Sequence, residues 1–343
     1  MTDSAPFRIA INGYGRIGQC VLRALYESDF RDHLQVVAIN ELSDIDTIAH
    51  LTRYDSTHGR FFGSLAVEGQ SLIINGDPVR VLRQADPADL PWEELGIDLV
   101  LECSGAYSDT ATARRHLQAG AKRLLFSQPA EPDVDRTVVY GINDTSLTES
   151  DRIVSAGSCT TNCLVPVISA LDKAFGVEQG STTTIHAAMN DQPVIDAYHH
   201  QDLRLTRSAL HNVVPVDTGL ARGVERLLPH MKGRFSSVAL RIPTMNVSAI
   251  DMVFNVRQST DIAAVNRVLQ QAASGPLKGI LGYTNELLAS SDFNHDAHSG
   301  VVDGGQTRVT QGTMVKVLCW FDNEWGFASR MLDVSRSWLQ RVK

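Results

Sequence analysis

The stretch FRIAINGYGRIGQCVLRALYES, residues 7–28, decides the fold of the first half of the chain. Its apolar start, Phe7 to Ile11, predicts a buried strand. The helix predicted after it carries three apolar residues on one face: Val21, Leu22 and Leu25. Three glycines between the strand and the helix have the spacing G-x-G-x-x-G: Gly13, Gly15 and Gly18. A strand, a tight glycine turn and a helix in this order predict a dinucleotide-binding unit, because the glycines let a pyrophosphate approach the helix N-terminus.

A second strand, Gln35 to Ile39, ends in Asn40 and Glu41. An acidic residue about 20 positions beyond the glycine turn is where a carboxylate accepts hydrogen bonds from ribose hydroxyls and repels a 2′-phosphate. The alternative is that Glu41 is an ordinary solvated loop charge. Its placement favours the first interpretation, and therefore NAD over NADP.

Strand and helix patterns continue to alternate as far as residue 157. The segments are 97–105, 111–120, 122–127 and 152–157. This alternation predicts an α/β fold with a doubly wound parallel sheet, in which Ser104 and Ser127 follow strand ends at the cofactor crevice. Residues 51–82 are rich in glycine and in short segments of alternating polar and apolar residues. This pattern predicts antiparallel strands that extend from the first domain rather than a separate domain.

A cysteine, Cys159, stands at a predicted strand-to-helix turn within SAGSCTTNC, residues 155–163. Unpaired N–H groups and the helix dipole stabilise a thiolate there, so we expect a thiol pKa below the free value of about 8.5. The alternative is a small packing residue, as most cysteines are. Cys163 stands one turn further on, but no second ligand pair lies nearby, so we predict packing and no metal site.

The second half of the chain has long β-branched segments and few helical patterns. The strand segments 182–189, 236–256 and 312–323, with one helix at 262–273, predict an α+β domain with a largely antiparallel sheet and one open face. The last segment, from Asn323 onward, predicts a terminal helix that packs on the first domain. The expected boundaries are 1–157 with 324–343 for the cofactor domain and 158–323 for the catalytic domain.

Two further residues of this half are candidates for chemistry. His186 ends a β-branched strand, where a histidine could take the proton of a thiol and pair with the thiolate. Arg241 ends an apolar strand and requires an anionic partner. That partner is either an internal carboxylate or a phosphate or carboxylate group of a substrate.

Composition excludes several classes of protein. The chain has 343 residues, 43% of them hydrophobic, and a formal net charge of −8, which argues against a nucleic-acid or anionic-membrane surface. Five cysteines without framework spacing and an N-terminus without an apolar stretch predict a cytoplasmic location. No window approaches the length of a membrane helix.

Seven motifs occur in order over nearly the whole chain: NGYGRIG, YDSTHGRF, SCTTNC, TTIHA, VPVDTG, RIPTMNVSAID and DNEWGF. Their combination resembles the glyceraldehyde-3-phosphate dehydrogenase superfamily. NDQPVIDAYHH and DFNHDAHS further resemble its erythrose-4-phosphate dehydrogenase branch.

The resemblance implies roles for individual residues. Cys159 would be the nucleophile and His186 the residue that activates it. NAD would be held by the following residues: Asn12, Gly13, Arg16, Ile17, Glu41, Ser127 and Asn323. A phosphorylated aldose substrate would be held by a second set: Ser158, Thr160, Arg204, Thr218, Gly219 and Arg241. Residues 190–217 would form the family's S-shaped loop, which helps complete the cofactor site of a neighbouring subunit in a homotetramer.

The chain also departs from the family's pattern. Met189 stands three residues after His186, where phosphorylating triose enzymes usually carry a threonine that donates to the substrate phosphate. Asp217 precedes Thr218 and Gly219 in place of a serine or threonine, and its carboxylate would repel inorganic phosphate unless it points away or pairs with Arg204 or Arg207. Both changes favour an enzyme in which water, rather than inorganic phosphate, opens the thioester. Glu41 replaces a commoner aspartate, which preserves the preference for NAD.

Three hypotheses follow from these residues. The first is NAD-dependent oxidation of erythrose 4-phosphate to 4-phosphoerythronate through a cysteine thioester, a step the resemblance places in pyridoxal phosphate biosynthesis. The second is the phosphorylating triose enzyme, which shares nearly every motif. The third is a silent NAD-binding or thiol-redox sensor, which the pairing of Cys159 with His186 disfavours.

Overall fold

The computed structural model describes residues 5–199 and 202–342. They divide into two compact units. The first comprises the described residues of Met1–Ser158 and Phe327–Lys343, and the second comprises those of Cys159–Gly326. No helix in the described ranges has the length and hydrophobicity that a membrane span needs.

The first unit begins with alternating strands and helices. Its elements, in chain order, are β1 (Phe7–Asn12), α1 (Arg16–Tyr26), β2 (Leu34–Asn40), α2 (Ile45–Arg53), β3 (Tyr54–Asp55), β4 (Gly59–Arg60), β5 (Leu65–Glu68), β6 (Ser71–Ile74), β7 (Asp77–Leu82), β8 (Leu99–Glu102), α3 (Thr110–Gln118), β9 (Leu124–Phe126), β10 (Arg136–Thr137) and β11 (Ile153–Ser155).

Most strands of this unit join one sheet, whose order over the described residues is β10-β11-β9-β8-β1-β2-β7-β6-β5. The neighbours from β10 to β7 are parallel, and β7, β6 and β5 form an antiparallel meander at one edge. Strand β1 pairs with β2 on one side and with β8 on the other, so the direction in which the chain adds strands to the sheet reverses at β1. The carboxyl ends of β1 and β8 are therefore the switch point of the sheet, the place at which α/β sheets bind ligands.

The core of this unit lies on both faces of the parallel strands. Every residue of β8 and the last four residues of β1 are buried, as expected for a parallel sheet covered on both sides. Trp92 is fully buried in a cluster that also contains Val100, Leu124 and Phe126. Burial of these side chains, at roughly 25 cal/mol per Å² of apolar surface, is the main term that stabilises the layer.

The second unit follows directly at Cys159. Its elements are α4 (Cys159–Phe175), β12 (Val177–His186), β13 (Val214–Val216), α5 (Leu220–Leu227), β14 (Phe235–Arg241), β15 (Ser248–Val256), α6 (Ile262–Ser274), β16 (Leu281–Thr284), β17 (Gly300–Asp303), β18 (Arg308–Thr310), β19 (Met314–Phe321) and α7 (Trp325–Arg341), which from Phe327 onward belongs to the first unit. Short 3-10 turns connect elements in both units: Asp29–Asp32, Pro87–Asp89, Asp144–Ser146, Leu203–Thr206, Pro229–Met231, Ser290–Phe293 and Gly304–Gln306.

The sheet of the second unit has the order β13-β14-β12-β15-β19-β17-β16, with β18 paired to β19. Two of its pairings, β12 with β14 and β16 with β17, are parallel, and the others are antiparallel. The apolar helix α4 packs on β12, β15 and β17. Alternate residues of β14 and β19 remain exposed, so one face of the sheet is covered and the other is not within the described chain.

The predicted fold class is confirmed: a doubly wound parallel-sheet unit joined to an α+β unit with a largely antiparallel sheet. Two short helices, α2 and α5, were not predicted from the sequence. In α5 the apolar spacing is clear. Leu220, Val224 and Leu227 are buried at the i, i+4 and i+7 spacing of one helix face. The signal was present in the sequence but covered only two turns.

Candidate active site

Cys159 and His186 come together inside the second unit. Cys159 is the first residue of α4, and His186 is the last residue of β12. The Sγ atom of Cys159 lies 3.7 Å from Nε2 of His186 and 3.8 Å from Oγ1 of Thr160. These distances place a thiol within hydrogen-bonding reach of a base and of a hydroxyl.

The tautomer of His186 follows from its other nitrogen. Nδ1 lies 2.8 Å from the carbonyl oxygen of Ala187, so Nδ1 carries the hydrogen and donates it to that oxygen. In the neutral ring Nε2 is then an acceptor. The lone pair of Nε2 faces the thiol of Cys159, which is the orientation that a base for this thiol requires.

The expectation of a depressed thiol pKa is wrong for the free protein. Burial raises the pKa of the Cys159 thiol to about 11, although hydrogen bonds from Thr160 oppose the rise. Burial also lowers the pKa of His186, with the nearby Arg241 guanidinium as a further cause. Enclosure of the sulfur therefore outweighs the helix N-terminus, and the resting pair consists of a thiol and a neutral imidazole.

Arg241 lies beside His186, because β12 and β14 pair in parallel with these two residues in register. Its guanidinium forms a bidentate ion pair with Asp191, at 2.6 Å and 3.0 Å. The Arg241 side chain is 10% exposed and the Asp191 side chain is 47% exposed. The anionic partner that the sequence required is thus a carboxylate in this structure, and that carboxylate lies at the surface rather than in the interior.

Asn323 lies two residues after the end of β19. Its Oδ1 accepts a hydrogen bond from Oγ of Ser248 at 2.8 Å. The same Ser248 oxygen accepts the backbone N–H of Ala187 at 3.0 Å. The residue expected beside the nicotinamide is thereby linked to the backbone next to His186.

The other residues expected to bind substrate are less closely grouped. Thr160 adjoins the thiol, whereas Ser158 directly precedes α4 along the chain. Thr218 accepts the N–H of Leu220, and Gly219 caps α5. Helix α5 approaches the first turn of α4 closely, since a Cβ atom on Gly223 would lie 3.2 Å from Oγ1 of Thr161.

Arg204 and Arg207 lie apart from these groups. Arg204 belongs to the 3-10 turn Leu203–Thr206, where its side chain is exposed. Arg207 pairs with Asp196 at 2.9 Å rather than with Asp217. Asp217 is itself exposed and forms no ion pair among the described residues. Neither arginine therefore neutralises Asp217.

The glycine turn of the first unit has the shape that a pyrophosphate needs. Gly13 has φ of +85°, and a Cβ atom there would lie 2.3 Å from Cα of Ser104, so only glycine fits. A Cβ atom on Gly15 would meet nothing within 4 Å, which leaves the turn open on that side. Gly15 precedes α1 without a side-chain cap, so the turn lies at the positive end of the helix dipole, as in anion sites.

The side-chain amide of Asn12 forms hydrogen bonds with other side chains of the first unit. Its Nδ2 donates to Glu102 at 2.5 Å, and its Oδ1 accepts from Asn40 at 2.7 Å. The Glu102 carboxylate also accepts the N–H of Ser104 at 2.8 Å and the hydroxyl of Tyr107 at 2.5 Å. Burial by itself would raise the pKa of Glu102, but side-chain hydrogen bonds, first among them that from His116, hold it below its usual range.

The remaining residues expected to bind NAD lie at the same edge of the sheet. Glu41 follows β2 and accepts the N–H of Tyr14 at 2.8 Å, so its carboxylate is part of the turn rather than a free loop charge. Arg16 opens α1 with its guanidinium paired to Asp55 at 2.6 Å. Ile17 follows it in α1, and Ser127 follows β9 with its N–H donated to the carbonyl of Glu102.

Sequence reasoning missed three residues of these sites: Asp191, Ser248 and Glu102. Asp191 stands in the quoted motif NDQPVIDAYHH, so its charge beside the strand end was visible. Ser248 stands in the quoted motif RIPTMNVSAID, but a single serine or glutamate at a strand end, such as Ser248 or Glu102, reveals neither its partners nor its burial.

A doubly wound unit shaped for a dinucleotide, joined in one chain to a unit that holds a thiol beside an imidazole, defines the class of the protein as a nicotinamide-dependent oxidoreductase. Residues 7–110 match the family model described as glyceraldehyde 3-phosphate dehydrogenase, NAD binding domain. Residues 158–323 match the model described as glyceraldehyde 3-phosphate dehydrogenase, C-terminal domain.

The chain therefore belongs to the glyceraldehyde-3-phosphate dehydrogenase family. The predicted cofactor, NAD, is confirmed by the first of these matches. The protein is an NAD-dependent dehydrogenase of a phosphorylated aldehyde.

Proposed function

We propose that the protein oxidises D-erythrose 4-phosphate to 4-phosphoerythronate with NAD, and that water rather than inorganic phosphate releases the product from Cys159. The observation that carries this proposal is the bidentate pair of Arg241 with Asp191. The guanidinium that the family resemblance assigns to a phosphate group already holds a carboxylate in this chain. A free phosphate ion must therefore compete with Asp191 for it, whereas the phosphate group of the substrate is tethered through the bond to Cys159 and competes at a high effective concentration.

Two other departures support the same conclusion. Met189 is 48% exposed and offers no hydrogen-bond donor where phosphorylating relatives usually have one. Asp217, which forms no ion pair among the described residues, adds a second carboxylate next to Thr218 and Gly219. Two like charges about 4 Å apart repel by about 1 kcal/mol in water and by more in a less polar site, so each carboxylate disfavours an incoming phosphate dianion.

The reaction would begin with the thiol. Nε2 of His186 accepts the thiol proton as Sγ of Cys159 bonds to the aldehyde carbon. The same imidazolium then returns the proton to the developing alkoxide, which gives a thiohemiacetal and restores neutral His186. Because the thiol pKa is raised by burial, this proton transfer accompanies bond formation rather than preceding it.

Bound NAD supplies the acceptor for the hydride that leaves the former aldehyde carbon. His186 takes the hydroxyl proton at the same time, so the carbon becomes the carbonyl of a thioester. The hydrogen bond from Ser248 engages Oδ1 of Asn323, which leaves the Nδ2 donors of Asn323 to orient a carboxamide.

Water completes the cycle. After His186 has released its proton to solvent, Nε2 is again an acceptor and removes a proton from the attacking water molecule. The thioester carbon gains an oxygen, and the thiolate leaves and is reprotonated. The net change is aldehyde, NAD and water to carboxylate, NADH and two protons.

The proposed assembly is a homotetramer in the cytoplasm. The loop over residues 190–217 exposes large apolar side chains, among them Ile195 at 75% and Leu203 at 84%. Such side chains are typical of contacts between subunits. Sedimentation of the purified protein would test this assembly directly.

The test of function is turnover with each aldehyde. Purified protein, NAD and erythrose 4-phosphate in phosphate-free buffer should form NADH steadily, and phosphorus NMR should show only 4-phosphoerythronate. Glyceraldehyde 3-phosphate with and without inorganic phosphate is the comparison. An obligatory requirement for phosphate with an acyl-phosphate product would assign the protein to the phosphorylating triose reaction instead, and no NADH from either aldehyde would favour a non-catalytic sensor.

A further inference from the structure

Ser248 occupies a position between two strand ends that carry reactive groups. Strand β15 lies between β12 and β19, and Ser248 is its first residue. Its neighbour Ala249 pairs with Ile185 of β12, and Ser248 itself pairs with Phe321 of β19. The first residue of β15 thus lies between His186 at the end of β12 and Asn323 just beyond β19.

The Ser248 hydroxyl makes one hydrogen bond to each side. It accepts the N–H of Ala187 at 3.0 Å and donates to Oδ1 of Asn323 at 2.8 Å, and the residue is fully buried. Because its single hydrogen points to Asn323, the hydroxyl fixes which end of that amide faces outward. Because it accepts the N–H of Ala187, it also holds the backbone of the residue whose carbonyl oxygen orients Nδ1 of His186 at 2.8 Å.

The backbone before Ser248 is strained. Val247 has φ of +64°, a conformation that β-branched residues rarely adopt, and it is 2% exposed. Packing against Phe293 and Val301 holds it there. Asn246 adds a hydrogen bond to Asp322 at 2.8 Å, next to the one between Ser248 and Asn323. Strain of this kind persists where the surroundings over-determine it, often beside a functional site.

We propose that Ser248 is a positioning residue that holds the base His186 and the amide of Asn323 in one fixed arrangement. Both hydrogen bonds of the hydroxyl go to protein groups other than the thiol, so its effect is transmitted through the Ala187 backbone and the Asn323 side chain. This inference rests on the roles proposed above for His186 and Asn323.

The experiment compares Ser248→Ala with Thr182→Ala in the full-length protein. Thr182 is a buried hydroxyl of the same sheet that donates to Ser237 at 2.9 Å, so its loss tests destabilisation without affecting the site. For Ser248→Ala we expect kcat to fall about tenfold and the KM for NAD to rise, with the KM for the aldehyde unchanged.

The pH profile separates positioning from stability. The bond from His186 Nδ1 to Ala187 raises the pKa of His186, so its weakening in Ser248→Ala should move the acid limb of kcat to lower pH. Thr182→Ala should lower the melting temperature and leave that limb in place. If Ser248→Ala changes neither kcat nor the pH at which the acid limb of kcat falls, the inference is overturned. If His186→Asn also left kcat unchanged, the proposed base would be wrong instead.

Discussion

The lone pair of His186 Nε2 faces the Sγ atom of Cys159 at 3.7 Å, while Nδ1 of the same ring is held by the Ala187 carbonyl at 2.8 Å. A nucleophile at a helix start and a base at a strand end are therefore brought together by the packing of α4 against β12. Four predictions follow from this geometry and from the hydrogen bonds around it.

Replacement of Cys159 by alanine should lower aldehyde turnover by at least about 10³-fold, because no other group replaces a covalent nucleophile. NAD affinity should be unchanged, since the glycine turn belongs to the first unit. NADH formation and calorimetric NAD binding measure the two effects. Cys163→Ala is the matched control: Cys163 is fully buried beside Gly300, so its loss should reduce stability by about 1 kcal/mol and leave turnover intact. Retained turnover in Cys159→Ala would rule out the covalent route.

Alkylation of Cys159 in the cofactor-free protein should accelerate continuously with pH. The folded pKa of about 11 lies above the ordinary value, so the neutral thiol predominates at pH 7 and the thiolate fraction rises about tenfold for each pH unit. Iodoacetamide labelling between pH 6 and pH 9, followed by mass spectrometry, measures this slope. A plateau across that range would mean that a thiolate–imidazolium pair already exists and that the helix N-terminus outweighs burial. His186→Asn would then be expected to remove the plateau.

Replacement of Asp191 by asparagine should strengthen anion binding. The substitution removes the charge that neutralises Arg241, and inorganic phosphate should then inhibit about three- to tenfold more tightly. Initial rates against phosphate concentration measure the change. Asp196→Asn, which breaks the exposed pair with Arg207 on the same loop, should have no effect. Weaker anion binding in Asp191→Asn would show that Asp191 orients Arg241 rather than competing with inorganic phosphate.

Replacement of Glu102 by glutamine should weaken NAD binding. A carboxylate accepts from Asn12, Ser104 and Tyr107 together, whereas an amide turns one of its ends into a donor and leaves a buried donor unpaired, at a cost of about 1–3 kcal/mol. Because Gly13 packs on Ser104, the turn should loosen and the Kd for NAD should rise about tenfold. Calorimetric titration measures the Kd.

The control for this substitution is Asp151→Asn. Asp151 is a buried carboxylate of the same unit that accepts from Arg136 at 2.9 Å and from the N–H of Thr148 at 2.7 Å, before β11 begins. It should lower stability without changing the Kd for NAD. The lowered pKa of Glu102 adds a second check: its contribution to stability is present above the ordinary pKa of glutamate and is lost as pH falls through the folded value. The Glu102→Gln variant should not show that acid-dependent loss.

The sequence by itself determined most of the longer elements and the identity of the reactive groups. Hydrophobic period and glycine spacing are local properties, so the strand at 35–39, the helix at 262–273 and the turn at Gly13 were predicted within one or two residues of their observed limits. Cys159 at a helix start and His186 at a strand end were visible for the same reason. The short helix α5 escaped because its apolar face spans only two turns.

Only the tertiary structure decided the charge states and the partners. The sign of the Cys159 pKa shift depends on how much protein encloses the sulfur, and that quantity comes from the packing of α4 rather than from the residues beside it. Arg241 required an anion on sequence grounds, but the register of β12 and β14 sets it beside His186, and Asp191, 50 residues from Arg241 along the chain, follows shortly after that strand end. Ser248 acquires its two partners because β15 lies between strands from distant parts of the chain, and sequence patterns of one strand do not encode its neighbours.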